Sequence, residues 1–332
     1  MNSAMVLTEI WRGEFLESQH MGHAIVVDLS GQVVESWGDG DKVILPRSAC
    51  KMIQALPLVE SGAADAAGLR ADQLALACAS HNGAAIHTDR VAAWLADLGL
   101  DDDALRCGGQ MPRDPDARKT LICNDTRPCQ RHNNCSGKHA GFLTLTQHLN
   151  GDAEYIDPDH PVQKAVRAAF EDVTGMDSPG FVIDGCSAPN FATSLVGLAR
   201  AMAFFAGARP DGTAREQAAM RLRQAMATHP ELVAGEGRAC TALMRAMNGR
   251  TMVKTGAEAV FVAILPDQGL GMAVKIDDGG TRAAEATIAA LLVRHGALDP
   301  NHPTASDYIN APITNWRGTH CGTMKPASFL LS

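Results

Sequence analysis

Apolar residues near both ends of the chain fall in short runs that are typical of β-strands. Residues 23–38 (HAIVVDLSGQVVESWG) hold two β-branched-rich runs on either side of Asp28–Gly31, which predicts an antiparallel hairpin. A third short strand is expected at 42–46 (KVILP). Near the other end, consecutive strands with glycine-containing turns are expected at 251–256 (TMVKTG), 259–267 (AVFVAILPD) and 270–277 (LGMAVKID).

Between these parts, apolar residues recur with helical spacing. A helix is expected to begin near Ser48, and others are expected at 86–99, 160–173, 191–206, 213–228 and 238–247. A last helix ends at Gly296. The pattern predicts an α+β fold with an antiparallel sheet from about 20–46 and 250–277, a C-terminal helix, and a largely helical middle at about 48–248. No repeat or long linker divides the chain, so one unit over residues 1–332 is expected.

Composition and charge narrow the class of protein. With 332 residues, 46% of them hydrophobic and 20% charged, the chain can bury a substantial core. A net charge of −8 without basic runs argues against nucleic-acid binding. No run approaches the roughly 18 apolar residues of a membrane span, so no membrane partner is expected. The N-terminal residues do not show a basic segment followed by an apolar one, as a signal peptide would, so a cytoplasmic location is expected. Nine cysteines, an odd number, indicate mostly reduced thiols.

The start of the first predicted helix carries a serine and a lysine three residues apart. Ser48-Ala-Cys-Lys51 is the only S-x-x-K sequence in the chain, and on a helix this spacing puts both Cβ atoms on one face, about 5–6 Å apart. A serine hydroxyl becomes a nucleophile when a base removes its proton, and a lysine amine can serve when its neutral form is favoured. The same residues also fit an ordinary helix start with a serine cap and a surface lysine.

Two later segments favour the catalytic interpretation. An S-x-N sequence begins at Ser80 after an apolar run, and a K-T-G sequence begins at Lys254 on the first of the late strands. In this order, S-x-x-K, S-x-N and K-T-G form the signature of serine acyl-transfer enzymes of the penicillin-recognising fold. Taken singly, Ser80 could also be a serine that caps a loop, and Lys254 could be a charged residue on the surface of a strand. Together the motifs predict catalysis through Ser48, Lys51, Ser80 and Lys254.

A second group of reactive side chains lies in the middle of the chain. The segment HNNCSGKHAGF places Cys135, Lys138 and His139 at the start of a helix, and DGCSAPNFA places Cys186 at the entry to another. Two sulfurs from different loops, with a lysine or histidine nearby, can hold a zinc ion. The spacing is not C-x-x-C, however, and isolated cysteines are often small buried apolar residues, so both interpretations stay open at this point.

Five segments together resemble one enzyme family. They are PRSACKMIQALPLVESGAA, ASHNGAAIHTDRV, HNNCSGKHAGFL, DGCSAPNFA and VKTGAEAVF, and they occur in this order over most of the chain. This set is similar to the Rhizobium-type (class 3) L-asparaginases. The resemblance implies an amidohydrolase that converts L-asparagine to L-aspartate and ammonia, a fold similar to serine β-lactamases and glutaminases, and a homodimer.

The resemblance also implies roles for particular residues. It pairs Ser48 with Lys51 and Ser80 with Lys254 as catalytic residues. The zinc ligands that it implies are Cys135, Lys138 and Cys186, with zinc tuning substrate binding more than performing the hydrolysis. The substrate's charged and polar groups need partners of their own, for which the candidates are Arg47, Asp184, Asn133 and His139.

Three other classes of protein share some of these features. A penicillin-binding protein or β-lactamase would use the same three motifs, but the separation of Ser48 from Ser80 is short for that group and those enzymes work outside the cytoplasm. A glutaminase is a further alternative. A non-enzymatic zinc-binding protein on the same scaffold would explain the thiols but not the intact set of serines and lysines.

Overall fold

The computed structural model describes residues 3–332, and in that part of the chain the strands form one large antiparallel sheet and two small ones. The strands are Met5–Arg12 (β1), Phe15–Asp28 (β2), Val33–Trp37 (β3), Val43–Ile44 (β4), Phe181–Ile183 (β5), Pro189–Phe191 (β6), Thr193–Ser194 (β7), Met252–Thr255 (β8), Val260–Leu265 (β9), Leu270–Ile276 (β10), Ala311–Thr314 (β11) and His320–Pro326 (β12). The large sheet has the order β11-β12-β1-β2-β10-β9-β8, with β3 paired to β2. The predicted sheet from both chain ends is confirmed.

Helices fill most of the middle of the chain. They are Lys51–Gln54 (α1), Leu56–Glu60 (α2), Ala63–Ala66 (α3), Ala71–Ala77 (α4), Ala85–Asp97 (α5), Pro115–Cys123 (α6), Ser136–His148 (α7), Pro161–Thr174 (α8), Leu195–Gly207 (α9), Ala214–Thr228 (α10), Pro230–Val233 (α11), Ala239–Ala246 (α12), Thr281–Arg294 (α13) and Pro303–Ile309 (α14). The predicted α+β class is therefore confirmed. None of these helices, within residues 3–332, is long and apolar enough to cross a membrane.

Three sequence-based boundaries were wrong. The run 42–46 forms only the two-residue strand β4, which pairs with β7 instead of extending the large sheet. The helix expected at 191–206 begins at Leu195, because the residues before it belong to β6 and β7. The helix expected from Ser48 is a 3-10 turn followed by the short helices α1 and α2.

The chain divides by its contacts into two compact units. The first unit comprises Met1–Ala49, Thr193–Gly207 and Ala242–Ser332, and the second comprises Cys50–Ala192 and Ala208–Thr241. This division by contacts does not test whether the whole chain works as a single catalytic unit, so that expectation stays a prediction.

In the first unit, the large sheet is covered on both faces. Every residue of β9 is buried, although successive side chains of a strand point to opposite faces. Helix α9 approaches β10 so closely at Gly271 that a Cβ there would lie 2.1 Å from the Ala203 nitrogen, which explains the glycine. Helix α13 packs beside β1, where Thr8 Oγ1 donates to the Ala283 carbonyl oxygen at 3.3 Å. The sheet therefore gives β8, which carries Lys254, a rigid support.

In the second unit, helix α7 lies against α4 and α5. A Cβ at Gly137 would lie 2.4 Å from the Leu76 carbonyl oxygen, so glycine lets the first turn of α7 touch the end of α4. The buried Trp94 on α5 donates from Nε1 to Thr144 Oγ1 on α7 at 3.1 Å. These contacts fix the start of α7, where the motif HNNCSGKHAGF places its reactive side chains.

Candidate active site

Ser48 lies in a tight turn, Arg47–Cys50, that leads directly into α1. Arg47 has a φ of 52°, in the left-handed region that residues other than glycine rarely adopt. The Ala49 N–H donates to the Pro46 carbonyl oxygen at 3.1 Å and closes the turn. Such backbone strain is common where a side chain is held for function.

The glycine of the K-T-G motif supports this turn. A Cβ on Gly256 would lie 2.6 Å from the Pro46 carbonyl oxygen and 3.1 Å from the Ala49 nitrogen. The motif therefore needs glycine for a steric reason, since any side chain would push against the backbone on both sides of Ser48.

We expect the substitution Gly256→Ala to lower kcat about 100-fold, because displacing a reacting group by about 1 Å costs this much. The matched control is Gly62→Ala. Its added methyl group meets no atom within 4 Å, but the φ of 84° is a backbone conformation that alanine rarely adopts. The control should lose thermal stability and keep its kcat. Steady-state kinetics and thermal melting of both variants check this, and a Gly256→Ala enzyme with the wild-type kcat would contradict the packing argument.

Lys51 is buried and contacts the second catalytic serine candidate. Its side chain is 1% exposed, and Nζ donates to Ser80 Oγ at 2.9 Å and to the Ala79 carbonyl oxygen at 2.5 Å. A proton can pass between an amine and a hydroxyl at this distance. The resemblance pairs Lys51 with Ser48, whereas this contact joins Lys51 to Ser80, so the assignment of the two Ser–Lys pairs stays a prediction.

Backbone hydrogen bonds hold Ser80 from two sides, although it lies outside any helix or strand. The Ser80 N–H donates to the Val233 carbonyl oxygen at 2.8 Å, and the His81 N–H donates to the Asn134 carbonyl oxygen at 3.2 Å. The hydroxyl that faces Lys51 is therefore fixed by non-local contacts that no local sequence pattern indicates.

His81 is a residue that the motifs did not single out. Its Nδ1 accepts the Gly83 N–H at 3.1 Å, so its Nε2 carries the proton and donates to Ser136 Oγ at 2.9 Å. Burial first, and then the neighbouring His87, lower the pKa of His81 well below its usual value, which keeps the ring neutral. His81 thus ties the segment of Ser80 to the first residue of α7.

Lys254 lies in the first unit, on β8. Its side chain is 1% exposed, its backbone is in register with Val262 of β9, and its Nζ donates to the Thr255 carbonyl oxygen at 2.9 Å. Although β8 is the last strand in the order of the large sheet, Lys254 is buried and is not the solvated surface charge that a single lysine on a strand would normally be.

The three predicted zinc ligands lie together in the second unit. Cys135 is the N-cap residue of α7, Lys138 lies in its first turn, and Cys186 lies in the turn between β5 and β6. Lys138 Nζ donates to Cys186 Sγ at 3.2 Å, and Cys135 Sγ donates to Asn134 Oδ1 at 2.8 Å. All three side chains are buried.

The charges of this cluster are coupled. The interaction between Cys135 and Cys186 lowers the pKa of Cys186 well below its usual value and raises the pKa of Cys135 well above its usual value. Burial lowers the pKa of Lys138, but the Cys186 and Cys135 sulfurs outweigh burial and raise it above its usual value. The arrangement is thus a thiolate paired with an ammonium group.

This donor set fits a zinc ion. Zinc accepts thiolate sulfur and neutral nitrogen, and a protonated lysine would have to release its proton on binding. A further buried nitrogen, Nε2 of His139, has no hydrogen-bond partner among residues 3–332. Within the same part of the chain, no group of three or more His, Cys, Asp or Glu side chains could hold a metal. The predicted zinc site has only two ligands of those types, because its third ligand is a lysine.

The candidates for substrate binding have different surroundings. Asn133 uses its amide group for the backbone, donating to the Cys107 carbonyl oxygen at 2.8 Å and accepting the Cys135 N–H at 2.9 Å. Asp184 accepts the Gly185 N–H at 2.7 Å in the turn that carries Cys186. The Asn133 Nδ2 group also donates to the Gly108 carbonyl oxygen at 3.0 Å, so the second lone pair of Oδ1 is the part of the amide left for a substrate donor.

Another cysteine, Cys107, lies near the predicted zinc ligands. The expectation that the cysteines are mostly reduced thiols stays a prediction. Cys107 is buried close to Cys186, and burial followed by the charge of Cys186 raises the pKa of the Cys107 thiol to about 12.

Comparisons with known proteins add a family and two structural similarities. A family model described as L-asparaginase II matches residues 8–326. A search of curated protein sequences gave no match. Among solved structures, a β-lactamase from Mycobacterium bovis is 14% identical with a TM-score of 0.43, covering 82% of this chain and 94% of its own. A protein called Mglu is 15% identical with a TM-score of 0.42, covering 80% of this chain and 59% of its own. Similarities this low support no conclusion about function.

Proposed function

The chain belongs to the L-asparaginase II family, and from this premise we propose how it hydrolyses L-asparagine. The match over residues 8–326 is the observation that carries the activity: the chain is an amidohydrolase that converts L-asparagine to L-aspartate and ammonia. We further propose that it is of the Rhizobium type (class 3), which the five segments of the sequence support.

In the first half of the reaction, Ser48 Oγ attacks the side-chain carboxamide carbon and gives its proton to neutral Lys51. Backbone N–H groups near the turn of Ser48 hold the oxyanion of the tetrahedral intermediate. The C–N bond then breaks, and the leaving nitrogen takes a proton through Ser80 and Lys254. The hydrogen bond between Lys51 Nζ and Ser80 Oγ at 2.9 Å supports this transfer, because it connects the base to the second serine.

In the second half, water attacks the acyl carbon and gives its proton through Ser80 to Lys254, Ser48 takes its proton back from Lys51, and L-aspartate is released. The substrate's charged groups require partners of opposite charge, and we assign the α-carboxylate to Arg47 and the α-ammonium to Asp184. Asn133 and His139 complete the polar surroundings: Asn133 orients the Cys135 backbone, and His139 lies on the same helix turn as Lys138.

We propose zinc as the cofactor, held by Cys135, Lys138 and Cys186. The ion would supply a fixed positive charge beside the substrate's polar groups. The protein's own residues carry out the nucleophilic attack and the proton transfers in this mechanism.

Removing the zinc is expected to raise KM for L-asparagine about tenfold with little change in kcat, because the ion tunes binding and a coupling of this size is common between neighbouring sites. The measurement is steady-state kinetics before and after chelation, with metal content followed by elemental analysis. Adding zinc back is the control and should restore KM. An equal loss of kcat at constant KM would contradict this role.

The substrate class is tested by ammonia release from L-asparagine, L-glutamine and β-aspartyl amides, with nitrocefin as a β-lactam probe. The proposal expects the highest kcat/KM for L-asparagine and no nitrocefin hydrolysis. Faster turnover of L-glutamine would favour the glutaminase alternative, and nitrocefin hydrolysis would favour a penicillin-recognising enzyme.

We also propose that the enzyme is a homodimer that acts in the cytoplasm, as the resemblance to the Rhizobium-type enzymes implies. Sedimentation velocity of the purified chain tests the dimer, and a mass of about 35.1 kDa, that of one chain, would contradict it.

A further inference from the structure

A hydrogen-bonded chain runs from the backbone of Arg106 through Tyr155 to His139. The Arg106 N–H donates to Tyr155 Oη at 2.8 Å, and Tyr155 Oη lies 2.9 Å from His139 Nδ1. Tyr155 is 0% exposed, although it lies in a loop between α7 and α8. No motif in the sequence indicated a role for it.

Packing fixes the Tyr155 ring as well as its hydroxyl. The ring meets that of His139 edge-on at a centroid distance of 5.5 Å, and Phe142 packs beside both rings. Gln163 Nε2 donates to the Tyr155 carbonyl oxygen at 2.7 Å. Tyr155 is thus held at its hydroxyl, at its ring and at its backbone.

The direction of the hydrogen bonds determines which nitrogen of His139 carries the proton. A backbone N–H can only donate, so Tyr155 Oη accepts from Arg106. Within residues 3–332, His139 Nδ1 is then the acceptor left for the hydroxyl proton. A neutral His139 must therefore carry its own proton on Nε2.

The Nε2–H group is a buried donor on the residue that follows the predicted zinc ligand Lys138 in the first turn of α7. Nε2 is buried and has no hydrogen-bond partner at normal distance within the described residues. Burial lowers the pKa of His139, and Cys186 is the group that acts most strongly in the opposite direction. A buried N–H without a partner is costly, so this one is expected to have an electron-rich partner in the working protein.

We propose that Tyr155 is a positioning residue: its hydroxyl fixes His139 as the Nε2–H tautomer, which aims a hydrogen-bond donor at the Cys186 sulfur and prepares that sulfur as a metal ligand. Partners of this kind orient metal ligands from outside the coordination sphere. The part about metal affinity rests on the proposed zinc site, whereas the tautomer assignment does not.

The variant Tyr155→Phe tests this inference, because it keeps the ring and removes only the hydroxyl. The zinc dissociation constant, measured by competition with a chromogenic chelator, is expected to rise about 10–100-fold. The matched control is Tyr308→Phe, which removes the other tyrosine hydroxyl of the chain and should leave zinc affinity unchanged. Equal zinc affinity of Tyr155→Phe and wild type overturns the inference.

A second measurement uses the metal-free wild-type protein and needs no variant. The ¹⁵N and ¹H signals of the His139 ring distinguish the two neutral tautomers, and the Nε2–H form is expected. An Nδ1–H form overturns the inference even if Tyr155→Phe fails to fold. A protein that shows the Nε2–H form and binds no zinc supports the tautomer assignment and contradicts only the proposed zinc site.

Discussion

Replacing Ser48 with alanine is expected to lower kcat for L-asparagine by at least about 10⁴-fold, because removing a catalytic nucleophile eliminates the covalent route. The substitution deletes one oxygen atom and leaves the Ala49 N–H bond to Pro46 in place, so the fold should persist. Ammonia release, measured with enough enzyme to detect slow turnover, gives the ratio of the rates.

The control for this prediction is Ser306→Ala. Ser306 is exposed on α14 and has no part in the proposed mechanism, so wild-type kinetics are expected. Residual activity of Ser48→Ala above about one hundredth of wild type would exclude Ser48 as the nucleophile and direct attention to Ser80, which contacts Lys51.

Replacing Lys51 with methionine is expected to lower kcat about 10³-fold, since general-base catalysis typically contributes 10²–10⁴-fold. Methionine retains most of the apolar stem in a site that is 1% exposed. The loss removes the donor to Ser80 Oγ and to the Ala79 carbonyl oxygen, so thermal stability should fall as well.

The matched control for Lys51→Met is Lys164→Met. Lys164 lies on α8 with a side chain that is 64% exposed, and its replacement should change neither kcat nor the melting temperature by much. Steady-state kinetics and thermal melting of both variants check this prediction. A Lys51→Met enzyme that keeps the wild-type kcat would contradict the assignment of Lys51 as base.

Much of the fold follows from periodicity, and the exceptions have physical causes. The hairpin β2–β3, the strands β8–β10 and the helix α8 follow from patterns that are local in sequence. Strand β4 could not be assigned correctly, because its pairing with Thr193–Ser194 depends on a contact about 150 residues away. Strands β1 and β12 pair with each other across almost the whole chain, and no local signal separates such strands from irregular segments.

For the candidate site, motifs located the residues but not their partners. The sequence indicated a lysine near a serine, and the structure places Lys51 against Ser80. Asn133 stays a candidate for substrate binding, and the sequence did not indicate that its amide group also bonds to the backbone, a role that depends on the path of a distant loop. Tyr155 had no signal at all, because a single aromatic residue in a loop matches no pattern.

The most direct test of the proposed mechanism is the intact mass of the protein after rapid acid quenching of a reaction with L-asparagine. The proposal predicts one added aspartyl group per chain, mapped by peptide fragmentation to Ser48 and absent from the Ser48→Ala variant. An adduct mapped to Ser80, or steady turnover with an adduct still formed in Ser48→Ala, would contradict the proposed mechanism.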